Sequence, residues 1–381
     1  MSEMADQHDG TRCVHAGLPE PVPGEPFLPG PVFAAPYHLD PWQGPAATPN
    51  GYGRPDNPTR RLLEAAIGDL EGGVCRVFAS GQAAITGLLL AVLRPGDTVL
   101  LPADGYYSVR SFATGTLEEL GVRVRFVPTA GPYPSLDGVR LVLVETPANP
   151  GLDVADVAAL AAEARAAGAL LAVDNTTATP LGQRPLDLGA DLVVASGTKA
   201  LTGHSDLLLG YVASRSAELL DKVTGWRSTA GAVPGAFDAW LAHRSLATLD
   251  LRLARQTANA EAIARLLADR PDVTGLRWPG LPDDPAYPVA SAQMRRIPGV
   301  LSFDLGDAER VARFLAAAKL VFAATSFGGL HTTADRRAQW GDATGPGFVR
   351  FSCGVEDTVD LVADVTAALD AAGPGGTATA G

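Results

Sequence analysis

The sequence holds only three cysteines in 381 residues: Cys13, Cys75 and Cys353, far apart in the chain. There is no Cys-x-x-Cys pair and no histidine at ligand spacing. A disulfide scaffold and a zinc module are therefore both excluded, and a reducing compartment is favoured. No apolar run approaches the ~18 residues that a membrane span needs. Met1–Gly10 is polar and acidic, unlike a secretory signal. Cations are scarce too, with 30 Lys and Arg against 42 Asp and Glu, a formal net charge of −12. That deficit argues against nucleic acid or an anionic membrane as the main partner. Lysine itself is nearly missing: Lys199, Lys222 and Lys319 are the whole supply. Where arginine is the default cation, a retained lysine points to chemistry that arginine cannot do. Chance is the plain alternative at any one of them. What these absences leave is a cytoplasmic protein of ~two to three domains, with 46% hydrophobic residues and the size of an enzyme.

The chain falls into four parts. Residues 1–55 form an N-terminal segment that, from Thr11 on, is expected to be an extended arm, because ten prolines between Pro19 and Pro49 forbid helix and central strand. The arm still carries Phe27, Phe33, Tyr37, Trp42 and Tyr52. Disordered tails carry few aromatics, so it is expected to lie on a surface, its own or a neighbouring subunit's. From 56 to 235 short apolar runs alternate with helical stretches. Asn57-Pro58 starts a helix. Strands are expected at Val74–Phe78, Thr98–Leu101, Val122–Val127, Leu141–Val144, Leu170–Val173, Leu192–Val194 and Leu207–Val212. Helices are expected at Gln82–Leu93, Ser111–Leu120 and Asp153–Ala167. Continuously apolar strands are those of a sheet covered on both faces, so this is an α/β domain with a mostly parallel or mixed sheet. Residues 236–372 read as a smaller α+β domain. It opens with one long helix or a kinked pair at Phe237–Ala268 and closes with a strand at Phe348–Cys353 and a helix. Residues 373–381 are a Gly/Ala/Thr tail, expected to be disordered.

Ligands of open α/β sheets sit beyond the carboxyl ends of strands. Four predicted strand ends carry chemistry. Ser80-Gly81-Gln82 opens a helix, whose free N–H groups and dipole suit a phosphate; plain capping by Ser80 is an equal alternative. Glu145-Thr146-Pro147-Ala148-Asn149 offers an amide. Asp174-Asn175-Thr176 puts a carboxylate directly after an apolar strand, where it needs a cationic partner or strong hydrogen bonds. Ser196-Gly197-Thr198-Lys199 offers two hydroxyls and an ammonium. It is not a nucleotide P-loop, because Ala200 stands where Ser or Thr must meet magnesium. A lysine partly desolvated past a buried strand has a lowered pKa and attacks aldehydes. Taken together, a phosphate site, an aldehyde-reactive amine and a carboxylate for a ring nitrogen describe one ligand, pyridoxal 5′-phosphate. No Gly-x-Ser-x-Gly elbow is present, which excludes an α/β hydrolase.

These stretches carry a resemblance. With Tyr52-Gly53-Arg54, Gly203-His204-Ser205-Asp206, Ser326-Phe327-Gly328-Gly329 and Arg350-Phe351-Ser352-Cys353-Gly354, in this order and spacing, the chain resembles the pyridoxal-phosphate-dependent Cys/Met-metabolism enzymes. The resemblance runs from about Thr11 to Leu369. It implies the fold type I transferase architecture, a large mixed-sheet domain covered by helices plus a smaller C-terminal α+β domain. It also implies roles. Lys199 would hold the cofactor covalently and shuttle protons, and Asp174 would face the ring nitrogen. Ser80, Gly81, Gln82, Ser196 and Thr198 would form the phosphate site, with Thr176 nearby. Tyr106 would stack on the ring and act as acid or base, with adjacent Tyr107 as its rival. Asn149 would bond near the cofactor's phenolic oxygen and, with Ser326 and Arg350, take the substrate carboxylate. Tyr52 and Arg54 would reach the cofactor of a neighbouring subunit, making an obligatory dimer, itself paired into a tetramer. No metal is implied.

The reaction expected from the resemblance is γ-elimination of L-cystathionine. The alternatives are cystathionine γ-synthesis, methionine γ-lysis, a natural-product carbon–sulfur lyase, or a regulator that binds the cofactor without catalysis. Thr325 stands where the γ-lyases and γ-synthases typically carry Glu, the residue expected to meet the distal amino group of cystathionine. The stretch His331–Gly347 is also short and altered against that family.

Overall fold

A computed structural model describes residues 7–42 and 48–373. The expected tail lies outside them except for Gly373. Seven strands make the large sheet: β1 (Val74–Phe78), β2 (Thr98–Pro102), β3 (Arg123–Val127), β4 (Leu141–Glu145), β5 (Leu170–Asp174), β6 (Leu192–Ser196) and β7 (Gly210–Ser214). Their order is β1-β7-β6-β5-β4-β2-β3. All neighbours run parallel except β7, which is antiparallel to both β1 and β6. The large domain is thus mostly parallel and mixed, as expected. Strand β7 starts three residues later than its apolar run suggests, because Leu207 and Leu208 precede it and Leu208 is exposed.

Both faces of the sheet are buried. Leu192 and Val194 of β6 join one core, with α3 (Gly81–Val92). Val193 and Ala195 join another, with α2 (Pro58–Glu71). A period of two with both sides apolar is what a helix-covered sheet demands. The caps follow the sequence: Asn57 Oδ1 accepts the N–H of Thr59 at 3.0 Å, and Ser80 Oγ that of Ala83 at 3.1 Å. Asp156 caps α5 (Val157–Ala166) through Ala159, so this helix begins four residues after the expected Asp153. In the other direction, α4 (Tyr107–Phe112) begins before the expected Ser111 and runs into a π turn at Ala113–Leu117.

The arm is only partly extended. Helix α1 (Asp9–His15) docks on its own chain with Arg12 and Cys13 buried, so the extended stretch starts after it. Beyond it, Phe27 is 92% exposed and Trp42 93%.

Phe237–Ala268 is a pair, α8 (Ala236–Leu246) and α9 (Leu249–Ala268). Helix α8 and the start of α9, through Leu253, pack into the large-sheet core. From Ala260 the same α9 packs into the core of the second sheet. That sheet has five strands: β8 (Thr274–Arg277), β9 (Val300–Asp304), β10 (Phe322–Ala323), β11 (Thr333–Arg336) and β12 (Phe348–Ser352), in the order β10-β11-β12-β9-β8. Helix α12 (Thr358–Ala372) lies on its core side. None of the described helices is long and apolar enough to cross a membrane.

One buried acid stands under the large sheet. Glu71, at the end of α2, is fully buried, and its Oε1 accepts the Tyr211 hydroxyl at 2.6 Å while Oε2 makes no hydrogen bond among the described residues. Burial pushes its carboxyl from 4.5 up to about 7. The unfolded chain releases this proton at the lower value and the folded chain at the higher. Stability therefore falls as pH rises between the two. Glu71→Gln, always neutral, is expected to raise Tm over the parent at pH 8 and to leave it unchanged at pH 4. A Tm difference of the same size at both pH values would refute a neutral Glu71.

Candidate active site

The carboxyl ends of β4, β5 and β6 and the N-terminus of α3 converge on one cavity of about 430 Å³. It is lined by Ser80, Gly81, Gln82, Tyr106, Asn149, Asp174, Thr176, Ser196, Thr198, Lys199, Ser326 and Arg350, together with Tyr107, Glu145 and Thr325. The first twelve are residues singled out from the sequence. Tyr52 and Arg54 are not among the lining residues. Arg54 instead donates to the Ser228 carbonyl and stacks over the Tyr52 ring at 5.8 Å, and Tyr52 is half exposed.

At one end of the cavity Asp174 is buried. Its Oδ1 accepts the N–H of Thr176 at 2.9 Å and the hydroxyl of Thr176 at 2.5 Å. Thr176 Oγ1 in turn accepts the Ser196 N–H at 2.8 Å. Thr176 is thus a bracket between two strand ends. Burial raises the Asp174 carboxyl; the Thr176 bonds and the Lys199 charge oppose this. Glu145 pairs with Asp174 in the sheet register, so two carboxylates stand side by side. Burial first, and then Asp174, drive the Glu145 carboxyl up. Its two oxygens are both engaged, Oε2 by the Tyr106 N–H at 2.8 Å and Oε1 by the Asn149 N–H at 2.9 Å. Glu145 therefore holds the segments that carry Tyr106 and Asn149. It ends a strand just as Asp174 does, and the same rule would have found it. The Tyr106 and Tyr107 rings meet edge-on at 4.9 Å and are equally exposed, so both reach the cavity.

At the N-terminus of α3, Ala83 N–H is capped by Ser80. The Gly81 and Gln82 N–H groups have no intrahelical acceptor. The glycine at 81 is needed for packing: a Cβ there would stand 2.6 Å from Ser196 Cβ. Gly210 is similar, since its Cβ would lie 2.1 Å from the Ser80 carbonyl oxygen. Thr198 Oγ1 accepts the Leu209 N–H at 2.9 Å and lies 3.2 Å from the Leu209 carbonyl, so its proton has a choice of acceptors. Gln82 Oε1 is buried without a hydrogen-bond partner among the described residues.

Lys199 follows β6 by three residues. Its ammonium lies 5.7 Å from the Phe327 ring centroid. Burial, and then the charge of Arg350, lower its pKa; Asp174 opposes them. Arg350 on β12 is buried. It donates to Asn149 Oδ1 at 2.9 Å, the Ser326 carbonyl at 2.8 Å and Asp335 Oδ2 at 3.2 Å. Burial and neighbouring Arg337 lower its pKa to about 10. Two of its five N–H groups stay free for a ligand. Ser326 holds φ +72°, a left-handed conformation rare outside glycine that turns its carbonyl toward Arg350.

The donor set suits pyridoxal 5′-phosphate. A helix N-terminus with two open N–H groups and two hydroxyls could take a phosphate, a buried carboxylate with one unbonded oxygen could meet a ring nitrogen, and a depressed amine could meet an aldehyde. A model of the Cys/Met metabolism PLP-dependent enzymes matches residues 37–370. The chain belongs to that family. It is thus a pyridoxal-phosphate-dependent enzyme of cysteine and methionine metabolism. A Streptomyces coelicolor protein provisionally named a cystathionine gamma-lyase is 56% identical over 370 residues, 95% of this chain and 93% of its own. A cystathionine gamma-synthase of Mycobacterium bovis is 37% identical over 390 residues, covering 97% of this chain and all of the other. The cystathionine gamma synthase of Xanthomonas oryzae pv. oryzae, solved in complex with cystathionine, superposes with a TM-score of 0.90 at 33% identity, over 96% of this chain and 98% of its own. Residues that sequence reasoning left aside also line this family member's cavity, namely Arg337 and Trp340. Both lie in the altered stretch 331–347, whose departure from the family pattern was the one available signal.

Proposed function

We propose that this enzyme cleaves L-cystathionine by γ-elimination, taking up water and releasing cysteine, 2-oxobutanoate and ammonia. The observation that carries the reading is the meeting of Lys199, Asp174 and Arg350 in one cavity. Lys199 would hold the cofactor. Asp174 would stand at its ring nitrogen. Gly81, Gln82, Ser196 and Thr198 would take its phosphate, and the Tyr106 ring its face. When bound, the cofactor supplies a sink for the electrons left at the substrate α-carbon. Lys199 Nζ takes the α-proton, and burial favours the neutral amine that this needs. A β-proton must leave as well; its electron pair expels the γ-sulfur, and Lys199 or Tyr106 protonates the departing thiolate. Arg350 binds the α-carboxylate through its free N–H groups, with Asn149 and Ser326 fixing the guanidinium. General acid–base help of this kind is worth ~10²–10⁴-fold.

Thr325 at the cavity wall favours a second reading, in which the substrate lacks a distal amino group, as methionine does. A product assay across cystathionine, methionine, homocysteine, and O-activated homoserine with cysteine separates the two. 2-Oxobutanoate and cysteine formed fastest from cystathionine support the first reading, and faster thiol release from methionine overturns it. Cystathionine made from homoserine ester and cysteine would point to the synthase.

Tyr52 and Arg54 would serve the cavity of a neighbouring copy in a homo-oligomer. The exposed aromatics of the arm and the absence of Tyr52 and Arg54 from the lining of their own cavity support this. Arg54→Ala is expected to weaken cofactor retention on dialysis about tenfold or more, the scale of one charge-assisted contact to phosphate. Unchanged cofactor affinity would refute the cross-subunit arrangement.

A further inference from the structure

The strand β11 carries a buried carboxylate that the proposed chemistry does not use. Asp335 pairs with Arg350 in the β11–β12 register. Its Oδ2 accepts Arg350 Nη2 at 3.2 Å and Arg337 Nη1 at 2.8 Å. Its Oδ1 accepts Gln339 Nε2 and Trp340 Nε1, both at 2.9 Å. Four donors thus converge on one side chain that is 4% exposed. Two belong to the guanidinium pair at the carboxylate end of the cavity. A third is the indole that, with Thr325, walls its outer side. Arg337 is further tied to Asp342 at 2.6 Å, and Asp342 lies 3.7 Å from Arg110 of α4 in the large domain.

An arginine beside another arginine repels it, and a buried guanidinium without an anchor has several rotamers to choose from. Asp335 removes both problems at Arg350 with one charge. It also spends its second oxygen on Trp340, which the geometry of the 3₁₀ turn at Arg337–Trp340 brings back over it. We propose that Asp335 is a positioning residue that aims Arg350 at the substrate α-carboxylate and, through the same carboxylate, holds Trp340 as the wall of the leaving-group side. The proposal rests on the reading of Arg350 given above. It predicts that loss of the Asp335 charge weakens recognition of a carboxylate, and that loss of the indole N–H weakens only the sulfur side.

The test is spectral titration of holoenzyme with glycine and with methylamine, which differ by the carboxylate. Asp335→Asn is expected to weaken glycine binding about 10- to 100-fold, the fold-change of one charge-assisted hydrogen bond. Methylamine binding and cofactor retention stay within twofold of the parent. Trp340→Phe is expected to raise KM for the sulfur substrate severalfold, while glycine binding stays within twofold of the parent. Glycine binding within twofold of the parent in Asp335→Asn, or an equal loss for glycine and methylamine, overturns the proposal. If Asp335→Asn does not accumulate as holoenzyme, Trp340→Phe decides alone, and an unchanged KM overturns it. A parent enzyme that does not prefer glycine to methylamine overturns the Arg350 reading and this proposal with it. A parent that prefers glycine but does not cleave cystathionine overturns only the reaction, and the Asp335 result still stands on its own.

Discussion

Lys199→Ala is expected to abolish turnover while leaving a folded protein. Of the three lysines only Lys199 lines the cavity. Lys222 pairs with Glu218 on the outside of α7 (Ala217–Ala230), and Lys319 is exposed. No other primary amine of a side chain is therefore present to stand in, either as tether or as base. The loss is expected to exceed about 10⁴-fold, because one substitution removes both a covalent attachment and an acid–base group. Folding is expected to persist, since alanine replaces a charge that burial disfavours. Steady-state assay of the product, circular dichroism and borohydride trapping read the three parts separately. Trapped label on the peptide containing Lys199 in the parent, and none in the variant, is the expected pattern. Activity within a hundredfold of the parent, or label on another peptide, would remove Lys199 from its assigned place.

The second large effect belongs to Asp174→Asn. The amide keeps an oxygen for the two Thr176 bonds, so the bracket to Ser196 survives. Only the charge is lost. Turnover is expected to fall on the order of 10²–10³-fold, the scale of removing one preorganised contact to developing charge. Tm is expected to hold or rise, because a buried carboxylate raised by its surroundings no longer has to stay ionised. A variant within threefold of the parent rate would mean that the ring nitrogen finds no partner here.

Much of this was legible from residues alone, for reasons that can be named. Continuous apolar runs such as Leu141–Val144 read as buried strands because nothing else tolerates them, and strand ends locate a site in such a sheet. Asn57 and Ser80 marked helix starts because their side chains bond the orphan N–H groups. The reversed direction of β7 left no mark, since an apolar strand reads the same either way. The packing demand at Gly81 left no mark either. Its sequence neighbours suggest a ligand, whereas the close contact is Ser196, a residue 115 positions on and visible only in three dimensions. Tyr106 and Tyr107 stay unseparated for a local reason: a helix start turns both rings toward the same space. Asp335 and Arg337 sat in a stretch without period or motif; the β11–β12 register puts Asp335 opposite Arg350, and Arg337 reaches it from the following turn.

Helix α9 is built into both hydrophobic cores, its first turns into one and its last into the other. A rod shared in this way makes the two lobes a single mechanical body rather than beads on a thread. Swinging them apart would require breaking main-chain bonds in mid-helix or sliding packed side chains past one another. Admission of an amino acid and escape of its fragments therefore fall to the rim, where Tyr106, Tyr107, Thr325 and Trp340 stand exposed.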